Sequence, residues 1–256
     1  MLETDAQLAR HIASTAGELL VALQRSGLFQ GKALGKAGDR VANAFIMEAL
    51  RENRPEDGVL SEEEAADPAR LARSRVWIVD PLDGTREYGE KRTDWAVHVA
   101  LTIDGRPEIG AVALPGLKLA LCSEHPAALA PLGDKTLRML VSRTRPAAEA
   151  VAVAGRLGAE LVPMGSAGAK AMAVLRDEAD IYLHSGGQYE WDSCAPVAVA
   201  QAAGLHVSRI DGSRLIYNRE NPYMPDLLIC RKEHASRILA LISEVLLAED
   251  TIPRVK

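Results

Sequence analysis

Over the first 25 residues the apolar side chains Leu8, Ile12, Leu19 and Leu23 recur at helical spacing, with Thr4 or Asp5 placed to cap the element. Residues 27–38 are rich in glycine and predict a connection. Val41, Phe45, Ile46 and Leu50 then restore the helical period, with Asp39 at its start. After a turn at 53–58 the period shortens. Residues 59–60 read as a short strand, and the apolar run 76–79 as a buried one that Pro81 stops just past Asp80. Trp95, Val97, Val99, Leu101 and Ile103 alternate with smaller residues, and Asp104-Gly105 turns the chain so that 109–114 pairs back as a hairpin.

Proline and glycine at 115–116 and 126–133 break this pattern, so a seam near residue 130 divides 1–130 from 131–256. Beyond it, strands are expected over 137–141, 161–163, 180–183, 205–207 and 227–230. Helices follow Ala147, the glycine loop at 165–170 and Asp192, and a last amphipathic helix covers 238–247. Strands and helices mixed in this way predict an α/β (α+β) protein.

Composition narrows the function. Of 256 residues 48% are hydrophobic and 25% charged, as in ordinary globular chains, and the net charge of −5 leaves no basic excess for a nucleic-acid backbone. An anionic substrate would therefore need a cation to bridge it to an acidic site. No run of about 18 uninterrupted apolar residues predicts a membrane span. Glu3, Asp5, Arg10 and Glu18 interrupt the N-terminal pattern, which argues against a secretory signal. Cys122, Cys194 and Cys230 are odd in number and lack a C-x-x-C, so they read as small buried hydrophobes in a reducing cytoplasm. His98 lies within a strand and reads as a core histidine.

The chemistry concentrates in Asp80-Pro81-Leu82-Asp83-Gly84-Thr85. Two carboxylates and the Leu82 carbonyl offer three oxygen ligands from one turn, which suits a hard divalent cation; the plain alternative is a turn in which the two acids cap a helix. D-P-L-D-G-T after W-I-V resembles the metal signature of the Mg²⁺-dependent, Li⁺-sensitive phosphomonoesterases. These are the inositol monophosphatases, the fructose-1,6-bisphosphatases and the CysQ-type 3′-phosphoadenosine 5′-phosphate (PAP) phosphatases. Tyr-Glu-Trp-Asp192-Ser-Cys-Ala-Pro, about 110 residues on, resembles their second signature.

That resemblance implies a layered α-β-α-β-α sandwich and two or three Mg²⁺ per site, with Li⁺ inhibitory. Glu62, Asp80, the Leu82 carbonyl, Asp83 and Asp192 are the implied metal ligands, with Glu63 a second candidate in the acidic run 62–64, which alone would read as a solvated helix start. Asp39 is implied to hydrogen-bond Thr85 and so orient the attacking water, although Lys36 stands where the family has Thr and the loop before Asp39 looks shortened. The Gly84 and Thr85 amides would hold a phosphate oxygen. Ser142-Arg143 resembles a nucleotide-contacting turn, with Arg145 in place of His; a cap with surface arginines is the alternative. Gly165 and Ser166 would face ribose hydroxyls, and Lys170 would meet a second phosphate or lie on the surface. Ser185 stands where inositol monophosphatases carry a Glu, which disfavours inositol, and 216–219 would neighbour the base. The implied reaction converts PAP, or the related PAPS, by removal of the 3′-phosphate, giving AMP from PAP, in sulfate assimilation. Inositol 1-phosphate and fructose 1,6-bisphosphate are the alternative substrates, and an inert metal- and nucleotide-binding regulator is the alternative from another class. A homodimer is also implied. On this reading Asp83→Asn leaves folding intact and abolishes turnover.

Overall fold

The computed structural model describes residues 4–133 and 135–250, the last two by backbone alone; Glu3, named above in the N-terminal pattern, lies outside the described residues. Helix α1 (Asp5–Ser26) opens on Thr4, whose side chain accepts from the Gln7 amide at 3.1 Å, and closes on left-handed Gly27. It buries Leu8, Ile12 and Leu20; Leu19 faces outward. Helix α2 (Gly31–Asn53) begins eight residues earlier than the glycines suggest, so Asp39 is inside the helix and does not cap it. Each glycine costs a helix about 1 kcal/mol relative to alanine. Here they permit close approach: a Cβ on Gly35 would lie 2.6 Å from Thr85 Cγ2, and one on Gly38 2.8 Å from the Tyr88 ring and 2.9 Å from Leu82. On the same helix Ile46 and Leu50 are buried, whereas Val41 is exposed.

Five strands form the first sheet: β1 (Gly58–Ser61), β2 (Arg75–Asp83), β3 (Ala96–Ile103), β4 (Arg106–Leu114) and β5 (Leu119–Cys122), in the order β1-β2-β3-β4-β5. Only β1 and β2 run parallel; the rest is an antiparallel meander whose β3–β4 turn has positive φ at Asp104 and Gly105. Pro81 does not end β2. The register with β3 slips between Asp80 and Asp83, so the residue without an N–H sits in an irregularity and pairing resumes at Asp83–Ala96. Five-residue α3 (Thr85–Gly89) follows directly.

The second sheet takes β6 (Arg138–Ser142), β7 (Glu160–Met164), β8 (Ile181–Tyr189), β9 (His206–Ser208) and β10 (Tyr223–Cys230) in the order β7-β6-β8-β10-β9. The strand expected over 180–183 runs on through the glycines at 186 and 187, which lie within β8 near a break in its register with β10. Helices α4 (Ala148–Leu157), α5 (Ala167–Leu175), α6 (Glu190–Ala202) and α7 (Lys232–Asp250) complete the described residues.

Three cores define the layers. Helices α1 and α2 bury Leu20 and Ile46 against Trp77, Val79 and Leu101; α5 and α6 lie between the sheets, joining Val76 and Ile78 to Leu140 and Tyr182; α4 and α7 cover Met139 and Leu228 on the far side. The result is the α-β-α-β-α sandwich, with seven α-helices and two sheets among the described residues. The two middle helices start at Ala167 and Glu190, and both starts lie beside the C-terminal end of β2. No described helix is long and apolar enough to cross a membrane.

Candidate metal centre

Asp80 and Asp83, three residues apart, would face opposite sides of a regular strand; the extra residue that β2 carries at Pro81 brings both carboxylates to one side. Asp80 is 1% exposed and accepts from the Leu82 amide at 3.0 Å. Asp192, third residue of α6, arrives from the second half of the chain, its Oδ2 accepting from the Tyr189 amide at 2.7 Å. Ligand atoms of Asp80, Asp83 and Asp192 all lie within 4.8 Å of one another. Glu62 stands outside that set but beside one of its members. Its amide extends the β1–β2 ladder by donating to the Val79 carbonyl at 3.2 Å, which sets it beside Asp80, and the Glu62 and Asp80 carboxyls share a hydrogen bond. The residue as a whole is exposed, while its carboxyl is turned inward. Glu63 and Glu64 are exposed, and 62–64 form a turn after β1 with no helix start.

So many acids in so little space cannot all be charged without a counter-ion, because two like charges about 4 Å apart repel by about 4 kcal/mol even at an effective dielectric of about 20. Burial, then the charges of Glu62, Asp83 and Asp192, pushes Asp80 well up. Burial and Asp192 raise Glu62 to about 7; burial and Asp83 raise Asp192 to about 7. Asp83 goes the other way. Burial would raise it, but nearby His98, the Ser166 hydroxyl and the Gly168 amide outweigh that and hold it at about 2. Ser166 Oγ donates to Asp83 Oδ2 at 2.5 Å, and the amides of Ala167 and Gly168, the first turn of α5, donate at 3.1 and 2.6 Å.

Thr85 bridges Asp39 and the turn. Its hydroxyl is 3.3 Å from Asp39 Oδ1 and 3.1 Å from the Leu82 carbonyl, with one proton to give. Burial, then the charge of Glu63, lifts Asp39 to about 6 against the Thr85 hydrogen bond. Gly84, left-handed at φ 88°, occupies the N-cap position just before α3.

The residues expected to meet the rest of a substrate divide. A cavity of about 320 Å³ near the acids is lined by Arg86, Glu87, Ser142, Arg143, Gly165, Ser166 and Lys170, among others. Neither it nor a larger cavity of about 580 Å³ between α1 and β5 is lined by the four acids, but the smaller includes Ser166, which is bonded to Asp83, and that proximity decides for it. Ser142 accepts from the Arg145 amide at 3.2 Å. Arg143 is committed to Glu87 and Glu90, each at 2.8 Å, and so clamps α3 to the second half. The Gly165 amide is taken by Asp94 at 2.8 Å and the Ser166 hydroxyl by Asp83, so neither group is free for a ribose hydroxyl. Lys170 is not a surface residue: 5% exposed, it donates to the Ser166 carbonyl at 2.6 Å, and burial lowers its pKa despite the carboxylates of Asp83 and Glu87.

Ser185 donates to Glu149 at 2.6 Å. Segment 216–219 does not border the centre. Tyr217 bonds the Gly105 carbonyl at the hairpin end of β3, while Asn218 and Arg219 are held by Glu190 and Arg70, because the opposite end of β3 pairs with Asp83.

His98, read from sequence as a core residue, is fully buried yet directly beside the centre: Nδ1 donates to the Trp191 carbonyl at 3.0 Å and Nε2 is 3.2 Å from Asp83 Oδ2. The second approach is a charge contact, since Nε2 is not aligned for a hydrogen bond. The strand register, which pairs His98 with Asp80, is the signal that could have found it.

A set of four carboxyls, three of them burdened with raised pKa values, fits a hard divalent cation. A profile of the inositol monophosphatase family matches residues 2–247. The chain is 50% identical over 256 residues to the 3′-phosphoadenosine 5′-phosphate phosphatase of Mycobacterium leprae, covering 94% of each chain. It is 30% identical over 199 residues to the 3′(2′),5′-bisphosphate nucleotidase CysQ of Salmonella typhimurium, 73% of this chain and 81% of that one. Among solved structures, CysQ from Bacteroides thetaiotaomicron, a bacterial member of the same family, superposes with a TM-score of 0.74 at 26% identity over 89% of this chain and 97% of its own.

Proposed function

The chain belongs to the inositol monophosphatase family, a metal-dependent phosphatase family, and from that premise we propose that it removes the 3′-phosphate of PAP, giving AMP and phosphate, with Mg²⁺ as its cation. The convergence of Asp80, Asp83 and Asp192, with Glu62 bonded to Asp80, carries the chemistry, because oxygen ligands from three segments meet where no described basic side chain neutralises them all. The 50% identity to a PAP phosphatase carries the choice of substrate.

Bound there, Mg²⁺ supplies neutralisation of phosphate charge and activation of a water for in-line attack. The chain supplies position. Asp39, ionised above about pH 6, draws the Thr85 proton toward itself and leaves the Thr85 oxygen free to accept from the attacking water. The Gly84 and Thr85 amides hold a phosphate oxygen, and the Leu82 carbonyl joins the ligand set. We assign the second phosphate of the substrate to the 320 Å³ cavity, where Arg86, the Ser142 hydroxyl and the buried Lys170 ammonium oppose its charge and Arg143 neutralises the Glu87 carboxylate in the same wall. Arg143 helps by fixing the cavity wall. Placement in the cytoplasm, sulfate assimilation, inhibition by Li⁺ and a homodimer complete this reading; the three free, buried cysteines suit the compartment.

Phosphate release from PAP, inositol 1-phosphate and fructose 1,6-bisphosphate, followed in parallel with Mg²⁺ and then with added Li⁺, tests it. PAP should be turned over fastest and Li⁺ should suppress the reaction. Preference for inositol 1-phosphate would transfer the site to the other branch, and silence on all three would favour the inert regulator.

A further inference from the structure

His98 touches two segments that carry acids of the centre. Its ring is fully enclosed, with Nδ1 on the Trp191 carbonyl, one residue before Asp192, and Nε2 beside Asp83. We propose that His98 is a positioning residue that fixes the separation of Asp83 and Asp192, and thereby the affinity of the centre for its cations. The inference rests on the acidic cluster being a metal centre, and it assigns the ring no chemical step.

Three features of the fold support it. His98 is the β3 partner of Asp80 across the ladder, so the ring rises next to a third acid of the same cluster. At Gly168 any Cβ would overlap Nε2, and the Gly168 amide donates to the same Asp83 oxygen that the ring approaches. The first turn of α5 is therefore open where the ring must pass. Finally, Nε2 is buried without an aligned hydrogen-bond partner. A leucine filling the same space would leave no polar atom in that condition. A ring kept for packing alone does not account for it; a ring that must span Asp83 and the start of α6 does. Outer groups that hold metal ligands in place typically change affinity about 10- to 100-fold when removed.

Calorimetric titration of Mg²⁺ into the wild-type chain, His98→Leu and Gly168→Ala tests the inference without turnover. Gly168→Ala keeps the amide to Asp83 but pushes the ring aside. Both variants should bind Mg²⁺ about 10- to 100-fold more weakly, and with PAP the loss should be in the Mg²⁺ concentration for half-maximal rate, recovered at saturating Mg²⁺. A merely structural ring would lower the melting temperature in EDTA and leave the isotherm alone. An unchanged isotherm in either folded variant overturns the inference; if His98→Leu does not fold, Gly168→Ala decides. A wild-type chain that binds no Mg²⁺ overturns the metal reading instead, so the two failures are distinguishable.

Discussion

Asp39 combines a cost and a use in one side chain. Its carboxyl, raised from 3.8 to about 6, is protonated more readily in the folded chain than in the unfolded one. The folded state therefore holds the extra proton between those two values, and stability contributed at low pH is lost as the pH rises through about 6. Asp39→Asn should stabilise the fold at neutral pH by on the order of 1 kcal/mol, discounted for partial exposure, and not at about pH 4. It should also lower kcat at least 100-fold, since proton-positioning groups contribute about that much; melting curves and initial rates read both. Asp83 differs. It caps the first turn of α5 through Ser166, Ala167 and Gly168, so Asp83→Asn should lose turnover and several degrees of melting temperature together, in contrast to an expectation of intact folding. The acids were legible through the resemblance of D-P-L-D-G-T and of the stretch around Asp192 to two signatures, since short contiguous motifs survive in a bare sequence. The roles of Ser166, expected to face a ribose, and of His98, read as a core residue, were not legible, because what they do depends on partners 83 and 93 residues away.

Elements were legible wherever period and punctuation agreed. The β3–β4 hairpin, with its Asp104-Gly105 turn, is the clear case. They were misread where glycine and proline serve packing. In α2 the glycines suggested a loop, yet Gly35 and Gly38 face Thr85, Tyr88 and Leu82, and that approach brings Asp39 to Thr85. Pro81 suggested the end of a strand, yet it occupies an irregularity that β2 passes through. The α2 case is testable. Alanine is the better helix former by about 1 kcal/mol, so Gly35→Ala in an exposed helix would stabilise. Here its methyl would lie 2.6 Å from Thr85 Cγ2, so the variant should instead lose kcat with little change in Mg²⁺ affinity. A more stable, fully active Gly35→Ala would show that α2 can move away from Thr85 without consequence.

At the scale of the molecule, the composition and the mixed pattern of strands and helices were enough to read an α/β chain, and the resemblance supplied the five layers. The way the halves join was not readable, because the middle layer draws its core from both sheets: Val76 and Ile78 from one, Leu140 and Tyr182 from the other. We therefore read 1–130 and 131–256 as halves of one folding unit, which should melt in a single transition. The acidic centre lies where these halves meet, so cation binding should couple to that transition. Glu62 and Asp192, raised to about 7, and Asp80 with them, must lose protons to bind a cation. Without Mg²⁺ the raised carboxyls favour the folded state at low pH and cease to do so as pH rises through about 7. With Mg²⁺ the sign reverses, because deprotonated ligands bind best and occupancy at 100 times Kd adds about 2.7 kcal/mol. The gain in melting temperature from Mg²⁺ over EDTA should accordingly be small at about pH 6 and several degrees larger at about pH 8. A gain independent of pH would mean that these carboxyls are already ionised in the cation-free fold.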